Sequence, residues 1–408
     1  SLKAVIVEET LRGLRVVQCR EVGFRLSTNL AERQEAFAEA VHQLIPEEEL
    51  TKAEVIVAVP SHFMSWHRVS LPFARAGHVA KVVKYEIAQH VPFEPQEVVS
   101  DFFMLAAEKR REALVRVACV PREQLIAFRT LLHWAAVVPT SMTAEALAMY
   151  YSHLAQRRGE KEGGELLIDI GASKTTLCLV HRGVFMGAGC IYQGGDWVTR
   201  KLGEELGIPF EEAEEVKLNP DSRHEPALDR AYNGFLSSLG DSVEHCLLAP
   251  TMAQEESGRV DEIVVSGGCA RVQRVSGYLA KRLDLPVRLA NPFEGLSSAL
   301  FVPTHVAGSV YQIATGLALE QSYRGRARID LQRPLTRRRE AEVNVRGKLV
   351  PLGIGVLAVV LLAMGNLSYK LYAKERQHRI LTEHVNSVFS ATFPNVPLSA
   401  DVKNQMRA

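Results

Sequence analysis

The sequence predicts a duplicated, two-lobed α/β fold that is followed by a single membrane span. Strand-like and helix-like patterns alternate in both halves of the chain, and a short charged segment at 155–164 (AQRRGEKEGG) separates the halves. A long run without charged residues near the C-terminus predicts the span. The expected boundaries are an N-terminal lobe with an inserted subdomain at 1–160, a second lobe at 161–325, a basic linker at 326–348, a membrane helix at 349–370 and a segment beyond the membrane at 371–408.

The composition is that of an ordinary globular protein with enough apolar residues for two or three buried cores. Of 408 residues, 47% are hydrophobic and 23% are charged, which excludes disordered and collagen-like chains. The formal net charge of +1 gives no electrostatic reason to expect nucleic acid as a partner. The six cysteines include no Cys-x-x-Cys pair, so we expect reduced thiols in a cytosolic setting rather than a disulfide framework.

The first half begins with a predicted β-hairpin. Strands at 3–7 and 14–17 flank Gly13, a residue that suits a tight turn. Further strands are predicted at 55–59, 69–71 and 114–119, with helices at 27–44, 77–90 and 122–135. In the second half we predict strands at 166–170, 175–180, 184–191, 262–265 and 287–289, and helices at 196–206, 227–247, 271–283 and 309–320.

The turn after the first strand of the second lobe carries the most informative chemistry. Its candidate binding residues are Asp169, Gly171, Ser173, Lys174 and Thr175. Glycine lets backbone N–H groups approach an anion, hydroxyl groups add donors, and the Asp169 carboxylate could hold a hydrated Mg²⁺ ion beside a phosphate. The segment is no Walker P-loop, because a strand follows it and the spacing of glycine and lysine is wrong. A plain hairpin whose small residues satisfy the turn is the alternative.

Two later segments extend this candidate phosphate site. Gly194 and Gly195 precede a predicted helix whose N-terminus could face a phosphate. Glu214 and Lys217 lie on one face of a helix, where a solvated salt bridge is the alternative interpretation.

Glycines near the end of the second lobe add a possible base-binding surface. Gly267 and Gly268 follow an apolar strand, and their bare backbone could pack against a flat adenine ring. Small residues around Gly316 predict that two helices approach each other closely.

An uncharged run at 349–365 (LVPLGIGVLAVVLLAMG) predicts a transmembrane helix. At ~1.5 Å per residue, this run and the apolar positions after it reach across a bilayer core. A buried core helix is the alternative, although such a helix rarely lacks a polar face over this length. Six basic residues precede the run and four follow it, so we expect the N-terminal domain in the cytoplasm and the C-terminus on the opposite side of the membrane. An amphipathic helix is expected at 371–389.

In their order along the chain these motifs resemble the actin-like ATPase superfamily, a duplicated ribonuclease-H-like (ASKHA) fold, in the branch that contains the PilM and FtsA families. The resemblance to PilM covers 2–320 and includes YEIAQHVPF at 85–93 and the Asp101-Phe102 pair. It implies that the first strand and its Asp-x-Gly phosphate turn would come before Ser1. It also implies ATP or ADP with Mg²⁺ as the cofactor, bound by the candidate residues named above.

The region after 326 resembles the GspL family of type II secretion systems. RARIDL at 326–331, the single span, Phe-Pro at 393–394 and Gln-Met at 405–406 are similar to segments of GspL. The resemblance implies that the chain ends at the start of a small periplasmic α+β domain of the ferredoxin-like type.

These resemblances imply a scaffold rather than a turnover enzyme. The expected function is a non-catalytic adaptor of the bacterial inner membrane, in a type II secretion or type IV pilus machine, and no catalytic base is evident between the lobes. The expected partners are the secretion ATPase GspE, GspM or a PilN-like protein, the platform protein GspF, and a second copy that pairs through the membrane and periplasmic segments. The alternative is a membrane-anchored, PilM-like nucleotide-binding protein with weak or regulated ATPase activity.

Overall fold

The computed structural model describes residues 1–10, 13–24, 30–72, 76–106, 113–157, 162–249, 259–294, 296–298, 305–323 and 327–392. For 30, 76, 106, 297–298, 305–306 and 336–358 it describes the backbone alone. Contacts divide the chain into two compact units, Ser1–Leu335 and Thr336–Ala408. All of the candidate binding residues lie in the first unit.

The first unit opens with the predicted hairpin. β1 (Leu2–Thr10) pairs antiparallel with β2 (Gly13–Val22), and Thr10 faces Gly13 across the turn. Gly13 has a φ of 112°, a conformation that glycine adopts at little cost. The hairpin is thereby confirmed. The elements that follow it are α1 (Leu30–Leu44), α2 (Glu47–Leu50) and β3 (Ile56–Val59).

An antiparallel sheet and one helix form an inserted subdomain in the first half. In chain order the elements are β4 (Ser65–Leu71), α3 (Ala76–Ile87), β5 (Val98–Ala106) and β6 (Ala113–Pro121). The spatial order of the strands is β4-β6-β5. Val79 and Val83 of α3 share a core with inward-facing residues of the sheet, such as Val69 and Val115. We refer to this subdomain as the insert.

A strand and a helix that the sequence did not predict lead from the first half to the second. After α4 (Arg122–Trp134), β7 (Ser141–Ala144) pairs in parallel with β3 and runs directly into α5 (Glu145–Gln156). Most residues of α5 are buried, so the helix lacks the polar face by which surface helices are identified. The predicted linker at 155–164 overlaps the last two residues of α5, which ends at Gln156, and the first residue of the next strand, which begins at Gly164. Residues 158–161 lie outside the described part.

The second half is built on a five-stranded sheet. Its strands are β8 (Gly164–Ile170), β9 (Thr175–His181), β10 (Val184–Ile191), β11 (Val260–Ser266) and β12 (Val287–Leu289), in the spatial order β10-β9-β8-β11-β12. The helices are α6 (Gly195–Leu206), α7 (Phe210–Leu218), α8 (Glu225–Leu248) and α9 (Gln273–Leu283). Because β11 runs parallel to β8, the C-terminal ends of the two strands lie side by side, with Asp169 opposite Ser266.

The insert packs against the edge strand of this sheet. The register between β9 and β10 shifts between Phe185 and Gly187, and there the fully buried Arg116 of β6 donates a hydrogen bond to the carbonyl oxygen of Met186. Burial lowers the pKa of Arg116 to about 10. The ring of Trp66 lies against that of Phe185, with 5.0 Å between their centroids. The insert is thus joined to the second half by a charged side chain and by aromatic packing.

Two helices cross closely between the halves. Beyond β13 (Ser297–Ser298), which pairs in parallel with β2, and α10 (His305–Gly308), the helix α11 (Gln312–Leu319) lies against α5. A Cβ added at Gly316 would lie 1.7 Å from the backbone oxygen of Ala148. Glycine is therefore required at this crossing, and the predicted close helix approach is confirmed.

A segment at 327–332, which we call the strap, packs into the first half. Ile329 and Leu331 are fully buried. The N–H of Leu331 donates to the carbonyl oxygen of Met142 in β7 at 2.8 Å. The N–H of Asp330 donates to Oδ2 of Asp101 in the insert at 2.8 Å. The strap therefore belongs to the first unit and is more than a linker.

The helix α12 (Arg333–Thr392) follows the strap and makes up the described part of the second unit. Within the described ranges, no helix combines the length and the apolar character that a membrane crossing needs. The predicted span at 349–370 falls on α12, but the side chains of 349–358 lie outside the described part, and the remaining stretch reaches only about 18 Å. The predicted membrane helix is therefore not confirmed. The predicted start of a periplasmic domain falls largely on 393–408, which also lies outside the described residues.

Candidate functional site

The turn between β8 and β9 offers hydrogen-bond donors that no other described group uses. The N–H of Gly171 donates to the carbonyl oxygen of Lys174 at 2.9 Å and closes the turn. Among the residues that the structure describes, the N–H groups of Ala172 and Ser173 have no acceptor, and the exposed hydroxyl of Ser173 has no partner. Successive N–H groups in a tight turn form a concave surface that suits an anion such as phosphate.

Asp169 lies at the end of β8, beside this turn. The hydroxyl of Ser266 donates to Asp169 Oδ2 at 2.8 Å. Burial raises the pKa of the Asp169 carboxyl to about 6, against the opposing effect of that hydrogen bond. A carboxylate that is poorly solvated gains from a nearby cation, so Asp169 fits the predicted contact with hydrated Mg²⁺. Since the described residues contain no group of three potential metal ligands, water and phosphate oxygens would complete the coordination.

The diglycine at the end of β11 lies against the end of β8. Gly267 is buried with a φ of 90°, and an added Cβ would lie 2.5 Å from the carbonyl oxygen of Ile170. Only glycine fits such a position. Gly268 is exposed, and an added Cβ there would meet nothing within 4 Å. The bare backbone beside the phosphate turn is present, and Gly268 is the part that a ligand could reach.

Gly194 and Gly195 are buried and contact the turn directly. The N–H of Gly195 donates to the carbonyl oxygen of Gly171 at 2.9 Å, and that of Asp196 donates to Ala172 at 2.7 Å. A Cβ at Gly194 would lie 2.5 Å from the same Gly171 oxygen. The first N–H groups of α6 are therefore not available to a phosphate, contrary to the prediction. The two glycines instead allow α6 to begin against the turn.

Thr175 and Cys269 lie behind the turn and face the interior. The hydroxyl of Thr175, which is buried, donates to the carbonyl oxygen of Gln193 at 2.8 Å. The thiol of Cys269 lies 3.8 Å from the Gly171 oxygen, and burial raises its pKa to about 11, so it remains protonated at neutral pH. All six cysteines are free thiols, as the sequence predicted.

Glu214 and Lys217 face the start of α6. Lys217 Nζ lies 2.6 Å from Glu214 Oε2, 2.7 Å from Thr199 Oγ1 and 3.3 Å from the carbonyl oxygen of Gly195. Only 10% of the Lys217 side chain is exposed, so a solvated salt bridge does not describe the pair. The pair joins α7 to α6 and lies one layer behind the phosphate turn.

The sequence did not predict the carboxylate that faces the turn from the first half. Glu145, the first residue of α5, has its Oε2 2.6 Å from Lys174 Nζ, and the Ser61 N–H donates to the same oxygen at 2.7 Å. Lys174 Nζ also lies 3.4 Å from His62 Nδ1, and the Tyr192 hydroxyl donates to the His62 carbonyl oxygen. Burial, together with the positive charge of Lys174, lowers the pKa of His62. No local sequence signal identifies Glu145, because neither β7 nor α5, which bring it to the turn, was predicted.

Together these residues bring to one turn a set of groups whose chemistry suits a phosphate group and a cation. One side supplies free donors, the end of β8 supplies a carboxylate, and an ion pair crosses from one half to the other.

A family model described as type IV pilus assembly protein PilM matches residues 1–322. Among solved structures, the PilM–PilN type IV pilus biogenesis complex is similar, with a TM-score of 0.65 and 22% sequence identity, over 78% of this chain and 94% of that one. A likeness at this identity shows the fold alone. The actin-like, two-lobed α/β fold predicted from the sequence is confirmed.

More distant similarities involve proteins of cell division and secretion. The cell division protein FtsA of Pseudomonas aeruginosa is 27% identical over 191 residues, which are 40% of this chain and 44% of that protein. The chain spans less than half the length of the curated FtsA relatives that it matches. The cytoplasmic domain of EpsL, an inner-membrane component of the type II secretion system of Vibrio cholerae, has a TM-score of 0.40 and 12% identity over 81% of this chain and 98% of that one.

Proposed function

The chain belongs to the family of the type IV pilus assembly protein PilM, and from this premise we propose that it is a non-catalytic adaptor in the inner-membrane platform of a type IV pilus or type II secretion machine. The proposal rests on one observation: a folded α/β unit and a long helix belong to the same polypeptide. A PilM-type α/β unit continues through the strap into α12, a helix of 60 residues. A folded domain joined to a long helix can hold one partner while the helix reaches another.

We place the chain in the bacterial inner membrane as a single-pass protein, with its N-terminal domain in the cytoplasm and its C-terminus in the periplasm. This location rests on the uncharged run at 349–365 and on the larger basic cluster before it. Extraction of membranes with alkaline carbonate tests it. Release of the chain into the soluble fraction would contradict the location.

The proposed cytoplasmic partner is the secretion ATPase of the GspE type. The other proposed partners are GspM or a PilN-like protein, the platform protein GspF, and a second copy of the chain. PilN appears as the companion of PilM in the similar solved complex. Exposed apolar residues on α12, such as Leu371 and Leu381, supply a surface for helix pairing.

Capture of the ATPase on the whole chain, held in lipid nanodiscs, tests the adaptor role. We expect the wild-type chain to retain the ATPase. If the insert provides the docking surface, Tyr85→Ser should weaken capture, because Tyr85 of α3 is 70% exposed. Trp134→Ser is the matched control, since Trp134 of α4 is 63% exposed outside the insert. Failure of the wild-type chain to retain the ATPase would contradict the proposal.

The proposed cofactor is ATP or ADP with Mg²⁺, bound at the β8–β9 turn. The N–H groups of Ala172 and Ser173 would receive phosphate oxygens, Asp169 would hold the hydrated ion, and Gly268 would lie under the base. A bound nucleotide would place several negative charges at this turn. The protein could therefore respond to the concentration of the nucleotide. Calorimetry with Mg-ATP, with Asp169→Ala as the comparison, tests this binding.

A second candidate is weak or regulated ATPase activity. Glu145 favours it, because its carboxylate faces the phosphate turn from the opposite half. We expect turnover of the isolated chain to be negligible. Turnover of Mg-ATP that Glu145→Gln abolishes would favour the ATPase over the pure adaptor.

A further inference from the structure

A shielded ion pair lies at the candidate nucleotide-binding turn. Lys174 belongs to the turn of the second half and Glu145 to α5, and Lys174 Nζ lies 2.6 Å from Glu145 Oε2. Only 18% of the lysine side chain and 15% of the glutamate side chain are exposed. Water and salt screen such a pair less than one on the open surface. The lysine that the sequence assigns to phosphate is therefore already engaged by a carboxylate.

The same carboxylate oxygen also holds the backbone that leads into the insert. Glu145 Oε2 accepts the N–H of Ser61 at 2.7 Å, and Ser61 is buried. Ser61 opens a short 3₁₀ turn, Ser61–Phe63, and β4 of the insert begins two residues after that turn. Glu145 thus connects the phosphate turn of one half with the entry to the insert in the other.

We propose that Lys174 is an exchangeable latch: it pairs with Glu145 in the free protein and transfers to the phosphates of a bound adenine nucleotide, a role that rests on the nucleotide binding proposed above. Phosphates carry more negative charge than a carboxylate, and the N–H donors of Ala172 and Ser173 would bring them beside Lys174.

Transfer of the lysine has a consequence for Glu145. Without its cation, and next to a second anion, the carboxylate is repelled and its Oε2 leaves the Ser61 N–H. The Ser61–Phe63 turn then loses a contact that fixes the start of the insert. The insert therefore responds to nucleotide through one exchanged ion pair.

Hydrogen exchange at the Ser61 amide, in the whole chain with and without saturating Mg-ADP, tests the latch. We expect protection of this amide in the free protein, and exchange at least about tenfold faster with Mg-ADP. The control is the amide of Leu331, which donates to Met142 and does not contact Glu145, so its exchange should not change. Unchanged Ser61 exchange in a chain that binds Mg-ADP by calorimetry would overturn the latch alone. Absence of calorimetric binding would overturn both the latch and the proposed nucleotide site.

A double-mutant cycle separates a latch from simple repulsion of phosphate by Glu145. We expect Glu145→Gln to tighten Mg-ADP binding about fivefold, which corresponds to ~1 kcal/mol of ion-pair coupling. In a Lys174→Gln background the same change should tighten binding clearly less, because only the repulsion between phosphate and carboxylate is relieved and no ammonium group remains to be released. Equal tightening in both backgrounds would show repulsion only and would overturn the latch. If Lys174→Gln weakens binding below the calorimetric range, the loss supports a contact of the lysine with phosphate. The exchange rate of the Ser61 amide in the wild-type chain then decides whether Lys174 also leaves Glu145.

Discussion

The carboxyl group of Asp169 makes the stability of the folded unit depend on pH. Burial raises its pKa from 3.8 to about 6. Between about pH 4 and pH 6 the native state therefore binds more protons than the unfolded chain, and the free energy of unfolding falls as pH rises through that window. We expect Asp169→Asn to raise the free energy of unfolding by about 1–3 kcal/mol at about pH 7.5 and by far less at about pH 4.

Urea unfolding at the two pH values measures this difference. Glu212→Gln is the matched control, because Glu212 is an exposed carboxylate on α7 and should change stability little at either pH. An equal gain from Asp169→Asn at both pH values would contradict the predicted pH dependence.

The two adjacent glycines after β11 should respond very differently to alanine. Gly267→Ala places a Cβ against the Ile170 carbonyl oxygen in a conformation with positive φ, so we expect it to lower the free energy of unfolding by about 1–3 kcal/mol. Gly268→Ala has open space and should stay within about 0.5 kcal/mol of wild type. Thermal unfolding of both variants checks the contrast, and equal midpoints would argue against the close approach of β8 and β11.

At the scale of residues, local patterns pointed to the β8–β9 turn as a candidate site but did not point to Glu145, which faces it. Asp169 and Thr175 lie in one short segment, so their spacing is visible along the chain. Glu145 reaches the turn only because β7 and α5 bring it there, and no local pattern records that contact. Burial of Gly194 was equally invisible, since a glycine that exposes its N–H and one that allows close packing look alike in a sequence.

The crossing of α5 and α11 depends on the absence of a side chain. Gly316→Ala would set a Cβ 1.7 Å from the Ala148 oxygen, so the helices would have to move apart. We expect a loss of about 1–3 kcal/mol in the free energy of unfolding. Gly277→Ala, on α9, is the control: its added Cβ meets nothing within 4 Å, and it should raise stability by about 0.5–1 kcal/mol. A neutral result for Gly316→Ala in urea unfolding would contradict this packing.

At the scale of elements, periodicity predicted those helices and strands that have one polar face. The hairpin β1–β2, and α6, which is buried on one side only, are of this kind. α5 was not predicted because it is buried on nearly all sides. β7 was not predicted because it is only four residues long. Tertiary packing stabilises both of these elements, and that packing is not visible in their own sequence patterns.

The extent of the first folded unit can be measured through the strap. Leu331 is fully buried in the core of the first half, so Leu331→Ala should cost about 2–5 kcal/mol in the free energy of unfolding of that unit. Leu218→Ala is the control, since Leu218 is 67% exposed at the end of α7. Near-UV circular dichroism of the whole chain in urea follows this unit. Identical midpoints for the two variants would mean that the strap is only a linker.

At the scale of the whole molecule, the order of the folded unit, the linker and the long helix was predictable from the sequence. Their boundaries were less predictable. The change from alternating strands and helices to one long helix is visible in composition, and α12 follows it. The sequence placed the linker from 326 onward, yet Ile329 and Leu331 are core residues, because two apolar positions in a short polar segment do not reveal what covers them.

The strap also determines which contacts of the first unit would bear a mechanical force applied along the chain. α12 starts directly after it, so tension along that helix would pass through the strap to the hydrogen bond between Leu331 and Met142 of β7. Met142 lies three residues before Glu145, with no loop between them to absorb the strain. Tension applied from the C-terminal side would then reach Glu145, the residue that faces the β8–β9 turn from the first half.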